Sequence, residues 1–256
     1  RWRKDLITRP RLLLQLDEMI DKKLILVTAP AGYGKTSLLV DFATNSTLPV
    51  CWYSVNLQDN DTQRFVSHLI SAINVKFPKF GQRSYSALKT LKGVLDVDYI
   101  VNTIINDIYD NVLEHFILIL DDYYLLNHCT QIRNFINRFI QDSDENCHII
   151  LTSRMLLSLP IITLLAARSD VMGISSEELA FREEEIHQFF LNFNNRELSE
   201  QESHEIHEKT EGWITGIILN TQLKHSPIKG LASVAQFSST SLDSYFSQLI
   251  AQLPKD

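Results

Sequence analysis

The chain has 256 residues, an apolar share of 45% and a net charge of −7, with 24 Lys plus Arg against 31 Asp plus Glu. That length and apolar content suit one large domain, or one with a smaller partner, and the acidic balance excludes wrapping nucleic acid as the task of this stretch. Three cysteines, odd in number and without C-x-x-C spacing, point away from a disulfide scaffold or zinc site and toward a reducing cytoplasm.

In chain order, the first eleven residues are basic (Arg1, Arg3, Lys4, Arg9 and Arg11 against Asp5) and read as a solvated end. The chain opens on Arg, so it reads as a piece of something longer. Pro10 opens a helix reaching about Asp21. LILVT (24–28) is a short apolar run followed by Gly and Pro, the pattern of a buried strand entering a loop. VCWYSV (50–55) is a second strand. Asp61 caps a helix whose Val66, Leu69, Ile70 and Ile73 share one face. Val101, Ile104, Ile105 and Ile108 repeat that spacing. FILIL (116–120) has no alternation, as expected of a strand covered on both faces. Ile132, Phe135, Ile136 and Phe139 mark another helix, and CHIILT (147–152) and DVMGIS (170–175) the last two strands. LLSLPIITLLAA (156–167) is broken by Pro160 and too short to span a bilayer. No signal peptide is visible.

After about residue 176 the strands stop. Ile186, Phe189, Phe190 and Phe193 form one helical stripe, with Glu183, Glu184 and Glu185 in the first turn, a plain helix start that suits the dipole. LSEQESHEIHEKT (198–210) and WITGIILNTQL (213–223) read as two more helices. SVAQFSSTS (233–241) reads as a link, and Leu242, Tyr245, Phe246 and Leu249 as a helix before Pro254. The fold class is therefore α/β: a parallel five-stranded sheet covered by helices on both faces over 1–176, then a small all-α domain over 177–256.

The chemistry sits in TAPAGYGKTSLL (28–39), between a strand and a helix. It follows the phosphate-loop pattern G-x-x-x-x-G-K-[ST], except that Ala29 stands at the first glycine, where a small residue can shape the same turn. Backbone N–H groups of Ala31, Gly32, Tyr33, Gly34, Lys35, Thr36 and Ser37 would surround the phosphates at the positive end of the next helix. Lys35 reaches the β- and γ-phosphates, and the Thr36 hydroxyl suits Mg²⁺. FILILDD (116–122) ends in two carboxylates, as in a Walker B strand: Asp121 for the metal, Asp122 to polarise the attacking water. LTSR (151–154) places Arg154 at a strand tip, where its fork can sense a γ-phosphate once that strand lies between the other two. His204 and His207 are three apart, but no further ligands converge and H-E-x-x-H is absent, so a metal there is not expected. G-x-S-x-G is absent, so a serine hydrolase has no support.

Taken together, the chain resembles the nucleotide-binding region of MalT-type regulators, ATP-dependent transcription activators of the LuxR family within the STAND class of P-loop ATPases. The resemblance runs through TRPRLL (8–13), VTAPAGYGKTSLL (27–39), WYSVNLQDND (52–61), ILDDYYLL (119–126), LTSR (151–154), LAFREEEI (179–186) and TEGWITG (210–216). It implies a P-loop fold of the additional-strand (ASCE) type that holds ATP or ADP with Mg²⁺. It also implies an ADP-holding monomer, an ATP-holding form that self-associates, and slow hydrolysis that resets the switch. The winged-helix unit, whose start would fall within 177–256, the repeat-built sensor and the DNA-binding domain of such regulators belong downstream. This stretch itself would touch neither nucleic acid nor membrane. The segment Thr8–Arg11 corresponds to the family's stretch near the adenine. Where STAND proteins often have G-x-P, this chain has Gly212-Trp213-Ile214, which leaves that proline's adenine contact unassigned. The rivals are a kinase or motor ATPase, or a scaffold that binds without hydrolysing. A kinase wants an arginine-rich lid that is not seen, and retention of Lys35, Thr36, Asp121 and Asp122 speaks against the scaffold.

Overall fold

The computed structural model describes residues 7–90 and 96–225. Arg1, Arg3 and Lys4, the 233–241 link, the helix of Leu242, Tyr245, Phe246 and Leu249, and any winged-helix start lie outside them.

Five strands form one parallel sheet: β1 (Leu24–Thr28), β2 (Val50–Ser54), β3 (Phe116–Asp121), β4 (Cys147–Ser153) and β5 (Val171–Ile174). Their order is β2-β3-β4-β1-β5. β4 therefore lies between the two motif strands, pairing Thr28 with Ser153 on one side and Leu120 with Leu151 on the other. In such a sheet ligands bind at the carboxyl ends of the strands, and here the tips of β1, β4 and β3 stand side by side.

Every residue of β3 and β4 is buried, which explains why their sequences do not alternate. Successive side chains still go to opposite faces. Leu118, Leu120, Ile149 and Leu151 join Phe65, Phe135 and Phe139 in one core layer. Ile117, Ile119, Ile150, Ile25 and Val27 join Leu12, Leu16, Leu39 and Phe42 in the other. Those residues arrive on α1 (Pro10–Met19), α2 (Lys35–Asn45), α3 (Thr62–Asn74) and α6 (Thr130–Asp142), with α5 (Val97–Asn111) beside them. Asp61 and Asp96 cap α3 and α5 by accepting from the N–H groups of Arg64 and Tyr99.

Two helices depart from the sequence reading. α4 (Gln82–Thr90) is polar and was not apparent; its start is held by Asp107 of α5, whose Oδ2 accepts from Gly81 N, Ser84 N and Ser84 Oγ. The apolar run around Pro160 becomes α7 (Pro160–Ala167), with the proline in the first turn, where its missing N–H costs nothing. No helix among the described residues is long and apolar enough to cross a membrane.

After β5 the described chain is helical. α8 (Ser176–Leu179) and α10 (Glu200–Thr210) both begin with capping boxes, formed by Ser175 with Glu178 and Ser199 with Glu202. α9 (Glu183–Asn194) and α11 (Ile214–His225) complete the unit. Its buried core is small: Phe181, Ile186, Phe190, Leu198, Ile206 and Ile217. Phe193, expected in the stripe of α9, is 39% exposed.

Candidate nucleotide-binding site

The loop between β1 and α2 is built as its sequence requires. Gly32 and Gly34 take left-handed φ values of 77° and 81°, and Gly34 is the N-cap of α2. Ala29 is not among the positive-φ positions, so glycine is not needed there. It is buried, and its N–H donates to Ser153 O at 3.1 Å, tying the loop to the tip of β4. The Lys35 ammonium donates to Ala29 O at 2.7 Å and Pro30 O at 2.9 Å, within the curve of the loop. Tyr33 is buried in the core layer under α1 and α2, so it can serve a ligand only through its backbone.

β3 and β4 supply the acidic side. Thr36 Oγ1 donates to Asp121 Oδ2 at 2.9 Å, joining the first turn of α2 to the end of β3. Thr152 Oγ1 donates to Asp121 Oδ1 at 2.7 Å and accepts from Asp122 N at 2.6 Å. Thr152 was missed in the sequence, although it stands inside LTSR, and it fixes both acidic residues. Asp122 sits in the left-handed region (φ 58°), which an aspartate tolerates better than most residues. Burial, then the neighbouring Asp121, pushes its carboxyl above the usual range, with Arg154 and Lys35 opposing. A carboxyl so shifted moves toward the range useful to a general base. Arg154, at the β4 tip, is exposed and lies over the ring of Tyr124 with its guanidinium carbon 5.1 Å from the centroid.

The helical unit closes over the loop. Trp213 Nε1 donates to Ala31 O at 3.0 Å, and Thr215 donates to Gly32 O through N at 3.3 Å and Oγ1 at 3.1 Å. A Cβ on Gly32 would fall 2.2 Å from Thr215 Oγ1. Gly32 thus makes room for the helical unit's own side chains. Beside this contact, a cavity of about 410 Å³ runs from Gly34 and Ser37 toward Arg9, Phe181, Phe189 and Ile214.

Two sequence readings need correction here. Arg9 and Arg11 do not form a solvated end, and Glu185 is more than a helix start. Arg9 is 5% exposed and donates to Leu179 O, Ala180 O and both oxygens of Glu185. Its guanidinium carbon also lies 4.2 Å from the Phe181 ring centroid. Arg11 donates to Glu178 O, Ala180 O and the same carboxylate. Burial raises the Glu185 pKa, but the hydrogen bonds from Arg9 and Arg11 outweigh it and hold the group below the usual range. These partners are some 170 residues apart, so no local pattern reveals them. Of the two histidines three apart on α10, His204 pairs through Nδ1 with Glu183 at 2.8 Å.

Sheet order, the glycine loop, the acid-ended β3 and the intervening β4 define a P-loop α/β fold. Two solved structures share that fold. One is a STAND protein with a tetratricopeptide repeat sensor from Pyrococcus horikoshii, with TM-score 0.56, 17% identity, and coverage of 86% of this chain and 30% of that one. The other is a Walker-type ATPase of Pyrococcus abyssi, with TM-score 0.54, 17% identity, and coverage of 85% and 67%. By sequence, the chain is similar to the HTH-type transcriptional regulator MalT. Identity is 29% over 245 residues with MalT of Yersinia pestis, strain Pestoides F, covering 93% of this chain. With MalT of Yersinia enterocolitica it is 28% over 263 residues, covering 98%. The chain spans about a quarter of these relatives, 26% and 28% of their lengths. No protein-family model matches it.

Proposed function

We propose that this chain is the nucleotide-dependent switch module of a signal-responsive transcription regulator. It binds ATP or ADP with Mg²⁺ and hydrolyses ATP slowly, and its ATP state self-associates. One observation carries the reading: the glycine loop between β1 and α2 is also the surface that the helical unit grips, through Trp213 and Thr215. A ligand shifts a conformational equilibrium only through contacts that differ between states, and phosphates on this loop lie where that grip is made.

Thr36 and Asp121 fit the metal, because an oxygen-only pair at the head of α2 suits a hard divalent cation. Bound there, Mg²⁺ would supply charge stabilisation to the phosphoryl oxygens. Lys35 would exchange its loop carbonyls for phosphate oxygens. Asp122 would orient and deprotonate water, and Arg154 would leave the Tyr124 ring to read the γ-phosphate. A DNA-binding function belongs to the rest of the parent protein, in keeping with the net charge of −7 here.

The test is to identify the nucleotide released on denaturing the purified chain, and to titrate emptied protein with Mg-ATP and Mg-ADP. Binding of both is expected, with turnover well below the ~10 s⁻¹ typical of enzymes. A folded chain that takes up neither nucleotide ends the proposal. Fast turnover stimulated by nucleic acid would make it a motor instead.

A further inference from the structure

Arg154 and Tyr124 are built so that little but their mutual contact can change. The backbone around Arg154 is clamped by Ser153, which is fully buried. The Ser153 carbonyl accepts from Ala29 N at 3.1 Å. Its hydroxyl accepts from Met155 N at 3.1 Å and donates to Met155 O. Tyr124 stands in a single helical turn, Tyr123–Leu126, whose two end residues are fully buried in the core. That turn is pinned at its start, where Asp122 N donates to Thr152 Oγ1 at 2.6 Å. Between these fixed backbones the Arg154 side chain is exposed and the Tyr124 side chain half-buried. The guanidinium makes no salt bridge or hydrogen bond among the described residues, and its carbon lies 5.1 Å from the Tyr124 ring centroid.

A cation over a ring at an exposed site is held weakly, by about two- to fivefold in favour of the stacked position. The ring uses none of the N–H donors of the fork, because a guanidinium donates only to acceptor atoms. Hydrogen bonds to a charged phosphate are stronger, worth about ten- to a hundredfold. The stack therefore holds the side chain until phosphate oxygens come within its reach, and yields once they do. The loop begins at the neighbouring strand tip, with Ala29 bonded to Ser153, so the side chain can cross without any movement of the backbone.

The geometry points to Tyr124 as the positioning residue of Arg154. Its ring seats the guanidinium in the empty and ADP states and gives it up to a third phosphate. Binding of ATP then loses the stack, whereas binding of ADP leaves it in place, so the ring sets how sharply the two are told apart. The inference rests on the nucleotide-binding reading and adds to it the residue that tunes the response of Arg154.

The experiment titrates the chain calorimetrically with Mg-ADP and with the non-hydrolysable Mg-AMPPNP. Tyr124→Leu should tighten AMPPNP by about two- to fivefold and leave ADP unchanged. Tyr124→Phe keeps the ring and should restore the affinities of unaltered protein. In an Arg154→Ala background, Tyr124→Leu should alter neither ligand. A purely structural tyrosine would move both nucleotides together. Equal change in both, no change in either, or weaker AMPPNP in Tyr124→Leu overturns the assignment. A measurement on unaltered protein covers the case of a leucine variant that folds poorly. The NMR signal of the Arg154 Nε–H, assigned by its loss in Arg154→Lys, should show the upfield shift of a proton over a ring. That shift should be present in empty and ADP-bound protein and vanish with AMPPNP. Its absence from empty protein, or its persistence with AMPPNP, overturns the assignment too. Unaltered protein that binds neither nucleotide ends the nucleotide reading and this inference with it. Protein that binds both while Tyr124→Leu shifts neither ends this inference alone.

Discussion

The sheet unit and the helical unit are held by different physics. The sheet unit has two apolar layers, with β3 and β4 buried throughout. Among the described residues, the helical unit has six buried apolar residues in its own core. Polar contacts cross the join (Arg9 and Arg11 on Glu185, Trp213 and Thr215 on the loop), and Leu179 and Trp213 are also buried in the sheet unit's second layer. Apolar burial is indifferent to small ligands, whereas hydrogen bonds to loop carbonyls compete directly with anything that reshapes the loop. On the proposed reading, the helical unit is the part whose position a nucleotide would change.

The largest effect should come from the sheet unit. Phe135 is fully buried and meets Phe65 and Phe139 at centroid distances of 6.1 and 6.0 Å. Phe135→Ala should cost about 3–5 kcal/mol of global stability, read as a lower urea midpoint at similar slope. Next, Glu185→Ala leaves buried Arg9 unpaired and should cost about 2–4 kcal/mol. Its mark should be local: faster amide exchange in α9 to α11, with β3 and β4 unaffected. Equal loss of protection in the sheet would break the comparison. Arg154→Ala should leave stability nearly unchanged and weaken ATP by about 1.5–3 kcal/mol, roughly ten- to a hundredfold, while sparing ADP. Parallel loss of both ligands would make Arg154 structural.

The smallest effect is a pH dependence confined to the sheet unit. His148 of β4 is 5% exposed and stacks on His115, Nε2 to Nδ1 3.0 Å. Burial lowers its pKa, and the charge of His115 adds to that against the opposing Lys22 carbonyl. The unfolded chain therefore takes up the proton first, so stability present above about pH 6.5 should decline as pH falls below it. Urea midpoints against pH should show this decline, and His148→Phe should flatten it.

The sequence made the sheet unit legible because its signals are local. Short, mainly apolar runs mark the strands, β5 more weakly than the others, and the pairing of Thr36 with Asp121 follows from two short motifs. What it concealed depends on distant partners. The polar stretch Gln82–Thr90 becomes helical because Asp107, 23 residues beyond Ser84, caps it. Arg9 and Arg11 looked like a solvated end and Glu185 like part of a helix start, since nothing nearby shows that they meet. The role of Gly32 was only half visible: the need for freedom was plain, but the approach of Thr215 was not.

The bond from Trp213 to Ala31 O also gives the protein an optical reporter. The indole is buried, at 4% exposure, and its ring nitrogen is bonded to the loop carbonyl. Trp52, by contrast, is half-buried and bonded to Ser54 at 2.9 Å on the edge strand β2. With Trp2 and Trp52 replaced by Phe, emission from the Trp213 ring would read the contact between helical unit and loop without any added label. Lifting the unit would wet the ring and move its emission to longer wavelength, so closed and open populations can be followed in real time by stopped flow.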